Sequence, residues 1–89
     1  MSYTILLHPK ANDELNKLDK QIAQRIKKSL KELQEEPEKK GTKLRYTDFW
    51  RIRIGDYRAI YKIDNRGKRV IILYIGHRSS VYDDFSKVI

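Results

Sequence analysis

The chain has 89 residues, with 20 Lys and Arg against 12 Asp and Glu, and a formal net charge of +8. This length closes one hydrophobic core, so a single domain over residues 1–89 is expected. The charge predicts a polyanionic partner: nucleic acid first, and an acidic membrane or protein second. The absence of cysteine excludes disulfides, thiolate catalysis and zinc fingers, and indicates a cytoplasmic protein. We expect no signal peptide and no membrane span.

The positive charge is concentrated in one segment. Residues 43–78 carry ten Lys and Arg against three Asp and Glu, whereas residues 1–42 carry nine against seven. Seven of the eight arginines lie in that segment. Because the planar guanidinium matches phosphate with two hydrogen bonds, the segment is typical of a nucleic-acid surface.

The first forty residues predict a strand and a helical hairpin. The apolar run from Tyr3 to His8 is a short strand, and Pro9 suits the first position of a helix. Asp19 can cap a second helix, which Glu36-Pro37 ends. The apolar residues recur at helical spacing and form one face of the hairpin: Ala11, Leu15, Leu18, Ile22, Ile26, Leu30 and Leu33.

From Phe49 onward the apolar residues recur at every second position instead of at helical spacing. This pattern predicts an antiparallel meander with strands near 47–54, 57–64 and 68–77. A two-residue loop at Gly55-Asp56 pairs Arg53 with Arg58. A second turn with Gly67 in the left-handed conformation pairs Asp64 with Lys68. We therefore expect an α+β domain with an N-terminal strand, a helical hairpin, the meander and a short C-terminal helix.

This register assigns each strand residue to a face. The predicted core face holds Trp50, Ile52, Ile54, Tyr57, Ala59, Tyr61, Ile63, Ile71, Leu73 and Ile75. The other face holds Arg51, Arg53, Arg58, Lys62 and Arg78 among Phe49, Ile60, Val70, Ile72 and Tyr74. A one-residue slip at the second turn would instead put Val70, Ile72 and Tyr74 against the helices. Val81, Phe85 and Val88 could cover part of the basic face, and a partner protein the rest.

The arginines and a tyrosine are the best candidates for chemistry. No glycine-rich phosphate loop, Gly-x-Ser-x-Gly elbow or zinc-binding His-Glu-x-x-His motif is present, and no metal or cofactor is expected. Arg51, Arg53, Arg58, Arg78 and Tyr82 fit metal-free RNA cleavage, in which the ribose 2′-hydroxyl attacks its own phosphate and cations stabilise the transition state. We expect removal of Arg58 or of the Tyr82 hydroxyl to stop cleavage and leave the fold intact.

One family resemblance covers essentially the whole chain. The segments Phe49-Trp50-Arg51-Ile52-Arg53-Ile54-Gly55-Asp56-Tyr57-Arg58-Ala59-Ile60-Tyr61 and Ile75-Gly76-His77-Arg78, followed by Val81-Tyr82, resemble the RelE/ParE superfamily of toxin–antitoxin toxins. The RelE branch consists of endonucleases that cut mRNA on the ribosome without metal and are silenced by an antitoxin. The resemblance therefore implies a RelE-like fold, translation arrest, and the ribosome and mRNA as partners.

The resemblance also implies roles for individual residues. Arg58 resembles the arginine that stabilises the scissile phosphate, and Arg78 the one proposed as proton donor or charge stabiliser. Tyr82 resembles the tyrosine that stacks on or deprotonates the substrate. Arg51 and Arg53 stand where the best-known members have lysines, and arginine is a poor general base. Lys43 and Arg45 match the basic approach to the sheet in this family, and together with Lys62 of the basic face they are the candidate RNA-binding residues.

Two other functions fit the same pattern. The ParE branch shares the fold but inhibits DNA gyrase and is not a nuclease, and an inactive nucleic-acid-binding relative is the third possibility. In either toxin branch the expected partner is a smaller acidic antitoxin, and the toxin–antitoxin complex could bind operator DNA. The three residues Arg58, Arg78 and Tyr82 together favour the nuclease.

Overall fold

A five-stranded mixed sheet organises residues 2–87, the part of the chain that this computed structural model describes. The strands are β1 (Thr4–Leu7), β2 (Thr42–Lys43), β3 (Trp50–Ile54), β4 (Tyr57–Asp64) and β5 (Arg69–His77). The helices are α1 (Pro9–Asn16), α2 (Lys20–Glu32), α3 (Pro37–Lys40) and α4 (Val81–Ser86). The predicted α+β fold class is confirmed.

The strand order is β1-β5-β4-β3-β2, so the first and last strands of the chain lie side by side. β1 runs parallel to β5, and the other neighbouring pairs are antiparallel. A parallel pair requires a long crossover, which the helices and the meander supply. The meander predicted from the sequence therefore forms the centre of a larger sheet, with β1 on one edge and β2 on the other.

The helical hairpin packs its apolar face on one side of the sheet, as predicted. The His8 ring caps α1 by accepting a 3.1 Å hydrogen bond from the backbone N–H of Lys10, and Pro9 occupies the first helical turn. The buried helix residues are Ala11, Leu15, Ile26, Leu30 and Leu33. Within residues 2–87, no helix is long and apolar enough to cross a membrane.

A short third helix follows the Glu36-Pro37 pair at which the second helix was predicted to end. α3 begins after Glu36, which adopts the left-handed conformation with φ of 52°. The buried Tyr61 hydroxyl donates a 2.8 Å hydrogen bond to the Pro37 carbonyl, and burial raises the pKa of Tyr61 to about 12. This hydrogen bond fixes α3 to the central strand.

The register of the first hairpin is confirmed. Arg53 pairs with Arg58, and Ile54 pairs with Tyr57. Gly55 has φ of 59°, the conformation that the first position of a primed two-residue turn requires.

The predicted register of the second hairpin is wrong by one residue. Asp64 pairs with Arg69 rather than with Lys68, and Lys68, not Gly67, has positive φ. The Asp64 carboxylate explains the longer turn, because it accepts hydrogen bonds from the Gly67 N–H at 3.1 Å and from the Arg69 guanidinium at 2.6 Å and 3.0 Å. These contacts close the turn between Asp64 and Arg69, so the turn contains one residue more than predicted.

A β-bulge then reverses the alternation within β5. Tyr61 pairs with Ile72 but Ile60 pairs with Tyr74, so Leu73 is an extra residue. The slip at the turn puts Val70 and Ile72 in the core beneath the helices and Leu73 on the opposite face, so the predicted core positions of Ile71 and Leu73 are wrong. The bulge shifts the alternation a second time, so Tyr74 packs on the face opposite the helices and Ile75 packs in the core, as predicted.

The C-terminal helix covers the second face. Val81 and Phe85 of α4 pack on Ile60 and Tyr74, which are 0% and 5% exposed. The Tyr74 hydroxyl donates a 3.0 Å hydrogen bond to the Glu14 carboxylate of α1. The tail therefore covers Ile60 and Tyr74, as predicted; Val88, predicted to help, lies outside the described residues.

Candidate nucleic-acid interface

Arginines from three parts of the chain meet around the Gly55-Asp56 turn. Arg53 of β3 lies opposite Arg58 of β4, and Arg58 lies opposite Gly76 of β5. The backbone N–H of Arg78 donates a 2.8 Å hydrogen bond to the Asp56 carbonyl. With Arg51, on the same face of β3 as Arg53, these residues form the arginine cluster: Arg51, Arg53, Arg58 and Arg78.

Arg58 is the buried member of the cluster, with 9% of its surface exposed. Its Nη1 atom donates hydrogen bonds to the Gly55 carbonyl at 2.9 Å and to the Tyr57 carbonyl at 2.8 Å. The guanidinium is thus fixed by the hairpin turn. Arg58 lies on the predicted face of the sheet, but it is buried, so the expectation that its removal leaves the fold unaffected no longer holds.

Arg78 is exposed and pairs weakly. Its Nε atom lies 3.8 Å from the Asp56 carboxylate, and both side chains are mostly exposed. Exposed pairs of this kind contribute little stability. The Arg78 guanidinium can therefore exchange Asp56 for a phosphate at little cost.

Tyr82 joins the cluster through Arg51. The Arg51 Nη1 atom donates a 3.0 Å hydrogen bond to the Tyr82 hydroxyl oxygen across 31 residues of sequence. Tyr82 stands on α4, whose buried Val81 and Phe85 anchor the helix to the sheet, and 39% of its surface is exposed. The site therefore presents an aromatic ring and a hydroxyl beside the Arg51 guanidinium, on the arginine-bearing face of the sheet.

The three predicted RNA-binding residues lie toward the other end of the sheet. Lys43 pairs with Trp50 at the start of β3, and it lines a cavity of about 340 Å³ with Lys62. Arg45 belongs to the loop that follows Lys43. The structure thus brings Lys43 and Lys62 together, but Lys62 lies four residues along β4 from Arg58, toward the second turn.

Sequence reasoning missed Arg25 of α2. Its guanidinium covers the Gly55 turn so closely that a β-carbon built on Gly55 would lie 3.0 Å from the Arg25 Nη1 atom. The other cations of α2 are lysines. In the sequence, nothing distinguishes Arg25 from these solvent-exposed cations. Only the packing of α2 on the sheet brings it beside the arginine cluster.

His77 and Asp64 make contacts that support the fold. The His77 Nδ1 atom accepts a 3.2 Å hydrogen bond from the Ser79 N–H, and its ring packs edge-on against Tyr57 at 5.5 Å between centroids. Asp64 holds the second turn. Among residues 2–87, no group of three His, Asp or Glu side chains is placed to hold a metal ion.

Comparison with known proteins places the chain in a family. Residues 5–82 match the family described as the ParE toxin of type II toxin–antitoxin systems, parDE. The chain is 33% identical over 85 residues to Toxin RelG of Mycobacterium tuberculosis, with 92% of this chain and 98% of that protein covered.

Solved structures show the same likeness. The toxin–antitoxin complex RelBE2 of M. tuberculosis contains a chain with a TM-score of 0.83 and 30% identity, covering 89% of this chain and 94% of that one. A mutant of the E. coli toxin RelE in the free state has a TM-score of 0.79 and 29% identity, covering 100% and 99%. The protein therefore belongs to the RelE/ParE superfamily of type II toxin–antitoxin toxins.

Proposed function

We propose that this toxin is an endoribonuclease that cuts mRNA on the ribosome and so arrests translation. The observation that carries the proposal is the hydrogen bond from Arg51 to Tyr82, which adds an exposed phenol to a cluster of four arginines. The net charge of +7 in residues 43–78 suits a polyanionic substrate. The resemblance of the chain to RelE and RelG toxins supports the same activity.

The proposed reaction needs only groups that the chain, the RNA and solvent water supply. The ribose 2′-oxygen forms a bond to the adjacent phosphorus, and the bond from phosphorus to the 5′-oxygen breaks. Water takes up the 2′-proton and supplies a proton to the leaving 5′-oxygen, which gives a 2′,3′-cyclic phosphate and a 5′-hydroxyl. The protein must hold the nucleotide in line and stabilise the charge that develops on the phosphate oxygens.

The arginines would divide this work according to their exposure. Arg58 is held by two backbone carbonyls, so its remaining N–H groups form a preorganised donor for the phosphate. Arg78 is exposed and weakly paired, so its guanidinium would be free to donate a hydrogen bond to the leaving 5′-oxygen. Arg51 and Arg53 would bind and orient the flanking phosphates, because a guanidinium cannot serve as a proton acceptor.

Tyr82 would contact the reacting nucleotide directly. Because the Arg51 guanidinium can only donate, the Tyr82 oxygen accepts the hydrogen bond between them and the phenol hydrogen stays free. That hydrogen and the exposed ring can contact the ribose and the base. The position of Tyr82 on a short helix fixed by Val81 and Phe85 would limit its motion.

A cognate antitoxin is the partner that would hold the toxin inactive. The M. tuberculosis chain that this protein resembles was solved as part of a toxin–antitoxin complex. An acidic segment that covers the arginine cluster would neutralise it and exclude mRNA. The complex could in turn bind operator DNA, and the free toxin would act in the cytoplasm, where the ribosomes are.

The experiment is a reconstituted translation reaction programmed with one defined message. We expect the purified chain to cut the message within ribosome-bound codons and the Tyr82→Phe variant to cut it far more slowly. Addition of the product of the adjacent reading frame should stop cleavage. A message that stays intact at toxin concentrations that stop translation in the same reaction would contradict the proposal.

Inhibition of DNA gyrase is the second candidate, because the matched family description carries the ParE name. A gyrase supercoiling assay with the same preparation separates the two functions. Inhibition of supercoiling together with an intact message would favour the ParE function. Cleavage of the message without an effect on supercoiling would favour the nuclease.

A further inference from the structure

The loop between β2 and β3 exposes one aromatic side chain almost completely. Tyr46 is 95% exposed, and its φ of 62° lies in the left-handed region. A non-glycine residue in that region costs free energy and persists only where its surroundings impose the conformation. Exposure of a single aromatic is ordinary, but exposure together with an imposed strained backbone is not.

The surroundings of Tyr46 hold this conformation by hydrogen bonds. The Thr47 hydroxyl donates to the Leu44 carbonyl at 2.9 Å and accepts from the Phe49 N–H at 3.1 Å. The Leu44 N–H donates to the Phe49 carbonyl at 2.8 Å. Phe49 is in turn anchored edge-on against Phe85, with 5.1 Å between ring centroids. Tyr46 is therefore presented to solvent on a rigid base.

One cation contacts the exposed ring, and others line the adjoining cavities together with Asp48. The Arg45 guanidinium carbon lies 5.6 Å from the Tyr46 ring centroid, within cation–π range. Residues 43–48 line a cavity of about 400 Å³, and Lys43 also lines the adjoining cavity that contains Lys62. A planar ring, a planar guanidinium and two ammonium groups are the components of single-stranded nucleic-acid sites, where bases stack and phosphates meet cations.

We propose that Tyr46 and Arg45 form a stacking platform for one unpaired nucleobase of the RNA, with Lys43 and Lys62 contacting the adjoining phosphates. The inference rests on the proposed function, because it names a second contact on the same RNA. The loop enters β3 at Trp50, so Arg51 and its partner Tyr82 are the members of the arginine cluster site that lie nearest the platform. Arg53 lies two residues further along β3, at ~3.3 Å per residue. An extended RNA strand would pass Arg51 and Tyr82 before it reaches Arg53 and Arg58.

A nucleobase fits this platform better than an acidic protein segment. Both would be attracted by the cations, but only a planar π-system gains from a free tyrosine face beside a guanidinium plane. Three of the four side chains concerned are cationic, which a protein partner would need to neutralise with a matching set of carboxylates. Binding of the antitoxin to this loop is therefore the competing outcome of the test.

The test measures binding of the full chain to a labelled, unstructured RNA oligonucleotide by fluorescence anisotropy, without ribosomes. Tyr46→Ala should weaken binding about 5-fold to 150-fold, the range for loss of one stacked base, whereas Tyr46→Phe should stay within about twofold of the native chain because the ring remains. The dependence of RNA affinity on salt concentration should not change in either Tyr46 variant, since no charge is lost. Lys43→Ala should reduce the number of counterions released on binding by about one.

A glycine variant and its thermal unfolding separate the loss of stacking from a loss of folding. Tyr46→Gly should bind RNA as weakly as Tyr46→Ala but unfold at an equal or higher temperature, because glycine accepts positive φ without strain. Weak RNA binding by both variants at undiminished thermal stability would support the platform. Equal RNA affinity of Tyr46→Ala and the native chain would overturn it, as would a loss confined to antitoxin affinity.

The stacking platform and the proposed nuclease activity can be contradicted independently of each other. If ribosome-bound mRNA stays intact but Tyr46→Ala still weakens oligonucleotide binding, the platform stands and the nuclease proposal fails. If mRNA is cut and Tyr46→Ala changes neither cleavage nor binding, the nuclease stands and the platform fails. Failure of the native chain to bind the oligonucleotide at low salt would also contradict the platform.

Discussion

The Arg51 guanidinium donates a 3.0 Å hydrogen bond to the Tyr82 hydroxyl, and this contact joins the central sheet to the C-terminal helix at the arginine cluster. The two residues are 31 positions apart, so their distance depends on the packing of α4 over Ile60 and Tyr74. Any change that loosens α4 should therefore affect the candidate site without touching an arginine.

Arg51 and Tyr82 should behave as one unit in catalysis. We expect Tyr82→Phe and Arg51→Ala each to slow cleavage, Tyr82→Phe by about a hundredfold or more. The double variant should be little slower than the slower single variant, because residues that act together give non-additive effects. Single-turnover cleavage rates on programmed ribosomes measure this coupling, and rate losses that simply multiply would contradict it.

Replacement of Arg58 should reduce stability as well as activity. Arg58→Ala removes two hydrogen bonds to the turn, so we expect a loss of about 1–3 kcal/mol in the free energy of unfolding. Cleavage should fall by about a hundredfold to a thousandfold, as for loss of a preorganised donor. Urea unfolding measures the first effect, and cleavage under conditions where the variant is folded measures the second.

A matched control separates charge from position. Arg66→Ala removes an exposed arginine at the second turn and should leave both stability and cleavage nearly unchanged. If a folded Arg58→Ala protein cuts mRNA as fast as the Arg66→Ala control, Arg58 has no part in the reaction.

Gly41 should tolerate no side chain while Tyr61 keeps its hydroxyl. A β-carbon at Gly41 would lie 2.6 Å from the Arg51 carbonyl oxygen and would overlap the Tyr61 hydroxyl, which bonds to the Pro37 carbonyl. Gly41→Ala should therefore destabilise the fold by about 1–3 kcal/mol. In a Tyr61→Phe background the added cost should be smaller, and thermal unfolding of the four variants tests this; equal costs in both backgrounds would show that the hydroxyl is not the obstacle.

The sequence predicted local structure well where one interaction dominated it. Helical spacing identified the apolar face that buries Ala11 and Leu15, and the two-residue loop at Gly55-Asp56 determined the β3–β4 register. The second hairpin was mispredicted because the Asp64 side chain extends the turn and Leu73 forms a bulge. Neither effect leaves a periodic signal.

The candidate site was predictable in composition but not in geometry. Arginine content and the family resemblance pointed to Arg58 and Tyr82, yet the burial of Arg58 depends on backbone carbonyls that no sequence pattern indicates. The placement of Arg25 and the exposure of Tyr46 likewise depend on packing. The functional roles of all these residues stay predictions.

Asp64 should make the stability of the protein depend on pH in acid. The Gly67 N–H and the Arg69 guanidinium lower the pKa of Asp64. A carboxylate whose folded pKa is depressed stabilises the fold above its unfolded pKa of ~3.9, and this stabilisation is lost as the pH falls through the folded value.

The variant Asp64→Asn tests this dependence. It should unfold at a lower temperature than the native chain at pH 7, and the difference should shrink as the pH falls from ~3.9 through the lowered folded pKa of Asp64. Asp13→Asn, an exposed carboxylate on α1, is the control of equal charge. A difference between the native chain and Asp64→Asn that is the same at pH 7 and in acid would contradict the assignment.

The central claim is that the arginine cluster and Tyr82 cut mRNA through its own 2′-hydroxyl. The most direct measurement places a message with a single 2′-deoxy nucleotide at the mapped cleavage position on programmed ribosomes. The account predicts that the native message is cut to a 2′,3′-cyclic phosphate and that the substituted message stays intact at that position, since DNA-like sugar lacks the attacking group. Cleavage of the substituted message at an unchanged rate would contradict the account.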